Sequence, residues 1–356
     1  MKKGYIVLEN GKIFEGKRFG YDSEVTGELV FSTSAVGYIE ALTDTCYQGQ
    51  ILIQTFPLTG DYGWIPEDAC DSPIRAAGFV VREWCDSPSN FRSEWTIDEE
   101  LKKQQIPGIC DVDTREITKI LREEGVMNAV ICDDPAKVDF SALKNFRTGK
   151  SASTLVSGSK PVKFGDGSQT NGTVTVINCG NYRNVVEKLL AENFTVNVIP
   201  CTATSEEILK TGPDGIIVTD GPGNPEDNAK TVETLSELTG RLPMFGISLG
   251  HQLIALAKGA KTYKLKYGHR GANHPVKSLK DGKVYITSQN HGFAVDEKTL
   301  PSTAVVTYKN CNDGTVEGIE YLDDKAFSVQ FVPEKGFASA NTENILYGKF
   351  TDMLNK

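Results

Sequence analysis

Residues Met244–Leu256, MFGISLGHQLIAL, decide the fold. Leu242–Ile247 has the length and apolar content of a buried strand, and Gln252–Lys258 continues as a helix. Between them Gly246 and Gly250 flank Ser248, two residues that tolerate positive φ and close backbone approach. A G-x-S-x-G turn between strand and helix is the sequence form of a nucleophile elbow, in which a sharp turn presents one side chain beside N–H groups able to face an oxyanion. The same five residues also suit an ordinary strand-to-helix turn, so the neighbouring segments have to decide.

Upstream, apolar runs Val174–Ile177, Val196–Ile199 and Gly215–Val218 alternate with helical segments Arg183–Glu192, Ser205–Leu209 and Asn228–Leu238. Alternation of this kind predicts a parallel α/β sheet whose ligands lie at the carboxyl ends of the strands, where Ser248 sits. Downstream come shorter strands, Val284–Ser288, Thr303–Tyr308, Val316–Tyr321 and Ala326–Gln330, and a last helix near Glu343–Met353. Residues 151–172 are dense in Ser, Gly, Lys and Thr and read as an exposed linker. Before it, residues 1–150 hold short β-type runs at Tyr5–Leu8, Lys12–Phe14, Glu28–Ser32, Gln50–Thr55 and Ala77–Val81. A helix over Asp113–Glu124 completes them, with Asp113 or Thr114 as N-cap. The expected fold class is α/β: a β-rich α/β domain over 1–150, the linker, and a second domain over 173–356 with a central, mostly parallel sheet.

Composition narrows the function. A chain of 356 residues supports two cores. A net charge of −9 argues against nucleic acid as a partner, which requires clustered Lys and Arg. Membrane association is not expected either, because no apolar run approaches the roughly 18 residues of a span. The start, MKKGYIVLENGKIFEG, turns polar too early for a secretion signal, and the eight cysteines include no C-x-x-C pair, as in a cytoplasmic protein. Four histidines show no ligand spacing with those cysteines, so no metal is expected.

Four segments carry the chemistry: TDGPGNP (Thr219–Pro225) after the third parallel strand, the elbow after the fourth, SQNHGFAV (Ser288–Val295) at the end of a hairpin, and FSVQFVPE (Phe327–Glu334) as the last strand. In this order they resemble the class I glutamine amidotransferases. The first half extends the resemblance to the small subunits of carbamoyl phosphate synthetase, through FSTSAVGYIEALTDTCYQGQI (Phe31–Ile51), QTFPLTGDYG (Gln54–Gly63) and DVDTREITKILREEG (Asp111–Gly125). GISLGHQLIALAKGAKTYKLKYGHRGANHPV (Gly246–Val276) is similarly close. The resemblance implies a subunit that hydrolyses L-glutamine and passes ammonia to a large subunit. ATP and magnesium would belong to that large partner, with no cofactor in this chain.

It also implies a Cys-His-Glu triad, and here this chain departs from the pattern. The nucleophile position is Ser248, the histidine position is Val332, and only Glu334 matches its family residue. The following KGFASANTEN replaces a Gly-Pro-rich continuation. A cysteine is a few per cent thiolate at neutral pH, whereas a serine hydroxyl depends on an adjacent base. A positioned base is worth roughly 10²–10⁴ in rate. Serine without histidine is the weakest pairing, so little or no glutamine hydrolysis is expected. Loss at both positions favours natural decay over an engineered substrate trap. His291, in the glutamine-side loop, is the better substitute base, since His251 falls in the first helical turn and points along the helix surface. An active enzyme using Ser248 with another base, and a stand-alone glutamine-binding regulator, stand as the alternatives. The glutamine-holding positions implied by the resemblance are Ser34, Gly221, Gly223, Leu249, Gln252, Asn290, Gly292 and Phe293. Asp220 stands where the family usually has Asn before the glycine turn.

Overall fold

The protein is described by a computed structural model covering residues 2–70, 73–147, 152–166, 168–333 and 339–355. It divides into two compact units, Met1–Gly149 and Lys150–Lys356.

In the first unit the chain forms β1 (Lys3–Leu8), β2 (Ile13–Gly20), β3 (Val25–Ser32), α1 (Tyr38–Thr43), β4 (Gln50–Gln54) and β5 (Leu58–Thr59). It continues through β6 (Gly78–Val80), β7 (Glu83–Trp84), α2 (Ile97–Lys103), β8 (Pro107–Cys110), α3 (Thr114–Glu124), β9 (Met127–Cys132) and α4 (Phe140–Asn145). Strands β1-β2-β8-β6-β4-β3-β9 close into a barrel, with the β3–β4, β4–β6 and β6–β8 pairs parallel. Closure leaves no edge strand exposed among these. Helix α3 starts where expected: Asp113 accepts the Glu116 N–H at 2.9 Å, and Ile117, Ile120 and Leu121 are buried along one face. β8 and β9 escaped the sequence reading. Both are buried at every position, so neither shows the polar alternation that marks a half-exposed strand.

The second unit opens with a correction. Residues 151–172, expected as an exposed linker, contribute α5 (Ala152–Val156), which buries Ala152 and Ser153, and β10 (Val162–Phe164). Their few apolar residues sufficed because small side chains pack closely and an edge strand needs only backbone pairing. The elements that follow are β11 (Thr173–Asn178), α6 (Arg183–Ala191), β12 (Thr195–Pro200), α7 (Ser205–Leu209), β13 (Gly215–Val218) and α8 (Ala229–Leu238). Then come β14 (Met244–Ile247), α9 (Leu249–Ala257), β15 (Thr262–Ser278), β16 (Val284–Val295), β17 (Ala304–Asn310), β18 (Val316–Tyr321), β19 (Ala326–Val329) and α10 (Ser339–Leu354). They form one sheet in the order β10-β12-β11-β13-β14-β19-β18-β17-β15-β16. Its centre, β12-β11-β13-β14-β19, is parallel, and antiparallel strands extend it on both sides.

Period-two alternation along the central strands feeds two separate cores. Ile177, Ile216, Val218 and Met244 pack with Leu235, Leu238, Leu249 and Leu253 of α8 and α9. Val174, Val176, Ile217, Phe245 and Ile247 pack with Val185 and Leu189 of α6 and with Leu346, Tyr347 and Phe350 of α10. Helices thus cover both faces, and the carboxyl ends of β13, β14 and β19 lie side by side. Two readings shift here. SQNHGFAV lies inside β16 rather than in a loop, with His291 paired to His269 of β15. The last parallel strand stops at Val329, and beyond it Val332 makes an isolated bridge to Ser288.

Candidate active site

Ser248 takes φ 51° and ψ −104° at the junction of β14 and α9. For a residue with a Cβ this backbone is sterically disfavoured, and it persists only where neighbours over-determine it. The Ser248 N–H donates to Val329 O at 2.8 Å, and the Gly250 N–H to Thr219 O at 3.1 Å. These bonds tie the elbow to the strands on either side. The flanking glycines serve close approach rather than positive φ, which falls on Ser248 itself. A Cβ on Gly250 would lie 2.1 Å from Val218 O, and one on Gly246 2.8 Å from the Gly250 backbone. Leu249 is the first residue of α9, so its N–H has no carbonyl one turn back within the helix and is free to face an anion.

The turn after β13 carries Gly221 and Gly223. A Cβ on Gly221 would lie 2.3 Å from Cys179 O, and Gly223 has φ 93°. Asp220 is buried and accepts from Asn181 Nδ2 at 3.1 Å. On the other side of the elbow, Gln252 Nε2 donates to Phe293 O at 2.8 Å and to Gln330 Oε1 at 2.9 Å, which commits both amide hydrogens. Its Oε1 remains an acceptor, suited to an ammonium group. Asn290 and Phe293 are partly exposed in β16, opposite Arg270 and Lys264, and Gly292 leaves room for the Arg270 guanidinium 3.3 Å from its Cβ position. The fold therefore brings Ser248, Leu249, Gly221, Gly223, Gln252, Asn290, Gly292 and Phe293 to connected segments of the second unit. Ser34 belongs to the first unit, in the loop after β3, where its carbonyl accepts from Gln54 Nε2 at 2.5 Å. Glu334 lies outside the described residues.

Neither histidine near the elbow serves Ser248. Among the described residues, no imidazole hydrogen-bonds to its hydroxyl, which is 1% exposed as a residue. His251 pairs through Nδ1 with Ser328 Oγ at 2.8 Å, its Nε2 is buried without a partner, and burial pushes it down to about 3. His291 donates its Nδ1–H to Phe293 O at 2.8 Å, with Gln289 Oε1 lying 3.1 Å from its Nε2, and burial, aided by the nearby His269 charge, holds it far below the usual imidazole range. Val332 is buried and donates its N–H to Ser288 O at 3.0 Å. It offers no titratable atom.

Sequence reading missed the polar residues that support the site. Ser328 of β19 and Gln330 just past its end, both fully buried, meet His251 and Gln252 on α9. Two polar residues at period two inside the apolar run AFSVQFV were the available signal. A second network joins His269, His291 and Glu317, whose ligand-type atoms lie within 4.8 Å of one another. His269 Nδ1 bonds Gln289 and its Nε2 bonds Asp313 at 2.8 Å, while Gln289 Nε2 donates to Glu317 at 3.0 Å. With those ring nitrogens engaged by protein acceptors, the cluster reads as a hydrogen-bonded brace behind Asn290–Phe293 rather than a set of free metal ligands.

A strained serine at the carboxyl end of a parallel strand, a glycine turn on the adjoining strand and a polar-lined helix start define a class I glutamine amidotransferase domain. The family model described as glutamine amidotransferase class-I matches residues 175–352, and carbamoyl-phosphate synthase small chain, CPSase domain, matches residues 6–131. The carbamoyl phosphate synthase small chain of Methanopyrus kandleri is 45% identical, covering 93% of this chain and 93% of its own length. The pyrimidine-specific small chain of Halalkalibacterium halodurans is 42% identical over 99% of this chain and 97% of its own. That of Archaeoglobus fulgidus is 42% identical over 99% of both. The chain belongs to the carbamoyl phosphate synthase small-chain family. Among the described residues no helix is long and apolar enough to cross a membrane.

Proposed function

We propose that this chain is a glutamine-binding small subunit of a cytoplasmic carbamoyl phosphate synthase whose own glutamine hydrolysis is impaired or absent. The observation that carries the reading is the pairing of an elbow serine that meets no imidazole with a valine at the family's histidine position. Attack on a carboxamide requires a nucleophile deprotonated as the bond forms, and a serine hydroxyl without a base is essentially un-ionised. The two buried imidazoles nearby are held neutral and turned toward other partners, which supports the same conclusion.

Binding groups are better preserved. The Leu249 N–H and the Gly221–Gly223 turn suit a carboxamide oxygen, Gln252 Oε1 suits the ammonium of the amino acid, and Phe293 offers a flat wall. The chain would then join a large subunit that carries ATP and magnesium and draws on free ammonia to make carbamoyl phosphate, a precursor of pyrimidines or arginine. A bound, ordered small subunit biases the conformations of such a partner through differential contacts. The test is calorimetric glutamine binding with ammonia detection, on the chain alone and with its large subunit. Binding without turnover supports the reading. Clear turnover abolished by Ser248→Ala overturns it.

A further inference from the structure

Cys179 and Cys201 follow directly from neighbouring parallel strands. β11 and β12 run in register through Ile177↔Ile199 and Asn178↔Pro200, which brings the next residues, Cys179 and Cys201, level at the carboxyl edge. Both point to one face, since both pack in the core containing Ile177 and Ile199. Strands about 4.8 Å apart place such a pair within the roughly 4.4–6.8 Å Cα separation a disulfide accepts. Cys201 Sγ donates to Ser153 Oγ at 3.9 Å, and Cys179, Ser157 and Thr231 are its other side-chain neighbours.

We propose that Cys179 and Cys201 form a peroxide-sensitive modification site, closing into a disulfide at the base of the Gly221–Gly223 turn. The pair is chemically unequal. The neighbouring Cys179 thiol, with hydroxyls adding to it, draws the Cys201 thiol down against the opposing effect of burial, while Cys179 is raised. Cys201, whose sulfur also has the Ser153 hydroxyl at 3.9 Å, is assigned as the attacking thiol. Its sulfur attacks one oxygen of hydrogen peroxide, the O–O bond breaks, and protonation of the departing hydroxide gives water and a sulfenic acid. The Cys179 sulfur then attacks the sulfenic sulfur, and the hydroxyl leaves with the thiol proton as a second water. Two thiols are oxidised and one peroxide is reduced. The cysteines are 0% and 2% exposed, so the oxidant must be as small as peroxide.

The turn is coupled to this pair. Cys179 N–H donates to Thr219 Oγ1 at 3.0 Å, and the Cys179 carbonyl occupies the space beside Gly221. Drawing the sulfurs to a bond of about 2.05 Å pulls on the segment that holds Thr219 and Gly221.

The experiment exposes the folded chain to equimolar hydrogen peroxide, alkylates remaining thiols after denaturation, and maps peptides. Expected are the loss of two hydrogens, a Cys179–Cys201 linked peptide reversed by dithiothreitol, and altered amide exchange over residues 219–224. In Cys201→Ser the linked peptide is lost. If that variant fails to fold, the wild-type map alone decides. Both thiols alkylated after peroxide, or a link that appears only in unfolded chain, overturns the proposal. A native link with unchanged exchange at 219–224 overturns its coupling to the turn. None of these readouts depends on glutamine binding, so the site stands or falls apart from the proposed function.

Discussion

Replacing Ser248 by glycine tests whether the elbow is strained. Its φ of 51° with ψ of −104° lies where glycine is at ease and a Cβ is not, a placement that costs about 1–3 kcal/mol. Glycine adds back roughly 0.5–1 kcal/mol through the greater freedom of the unfolded chain. No hydrogen bond of the hydroxyl is lost among the described residues. The net expectation for Ser248→Gly is a gain of about 1 kcal/mol, whereas Ser248→Ala keeps the Cβ and gains nothing. For a unit the size of Lys150–Lys356 that gain raises the melting temperature by about 2–4 °C. Tryptophan emission is blind to the change, because Trp64, Trp84 and Trp95 all lie in the first unit. Differential scanning calorimetry of wild type and both variants is the appropriate assay. A glycine variant no more stable than the alanine variant would refute the reasoning, since the strain would then not reside in the Ser248 backbone.

Gly250→Ala sets a Cβ 2.1 Å from a backbone carbonyl that has no rotamer to move. A loss of about 3 kcal/mol in urea unfolding is expected, at the upper end for overpacking. His269 is raised to about 9: burial pulls it down, but its hydrogen bond to Asp313 and the Glu317 carboxylate 3.6 Å away outweigh that. Its stabilisation is therefore fully present below pH ~6.5 and fades as pH rises through 9. His269→Gln should cost about 1.5 kcal/mol at pH 6, a low value because the Asp313 side chain is 41% exposed. The gap between the two proteins should close by pH 10 in denaturation curves, and a gap constant with pH would reject the ion pair. Finally, Ser248→Cys with Val332→His should restore measurable ammonia release from glutamine, by roughly 10²-fold or more over Ser248→Cys alone. No recovery at all would point to the Lys335–Asn344 segment instead.

The parallel centre of the second unit was legible because its strands and helices follow two clean periods. Gly215–Val218 and Ser205–Leu209 fall where the patterning puts them. Helix α3 was legible for the same reason, reinforced by its Asp113 cap. Legibility failed where backbone pairing rather than side-chain pattern makes the element. β15 is a 17-residue strand in which charged and aromatic positions follow no steady alternation, and it bulges between Lys264 and His269 and between Gly271 and His274. The elbow motif was read at the right place for a partly wrong reason: the glycines are demanded by a helix lying almost on the strand backbone, and the unusual φ falls on the serine. The partners of Ser328, Gln330 and Gln289 were invisible because no local rule says which distant side chain a buried amide will meet.

The elbow and the missing base are separable, and that separation gives the double substitution its meaning. What bends Ser248 is its neighbours: Val329 O holding its N–H, Thr219 O holding Gly250, and Val218 pressed against a residue with no side chain. None of these contacts involves the Ser248 hydroxyl or the Val332 methyl groups. Exchanging oxygen for sulfur leaves every one intact. Imidazole for isopropyl adds bulk beyond the end of the last strand, while the bond from Val332 N–H to Ser288 O is a backbone one and survives. A construction that keeps its geometry through such changes isolates the chemistry of proton transfer. Activity that returns with the two side chains therefore measures the base, and the shape that presents the nucleophile is common to both proteins.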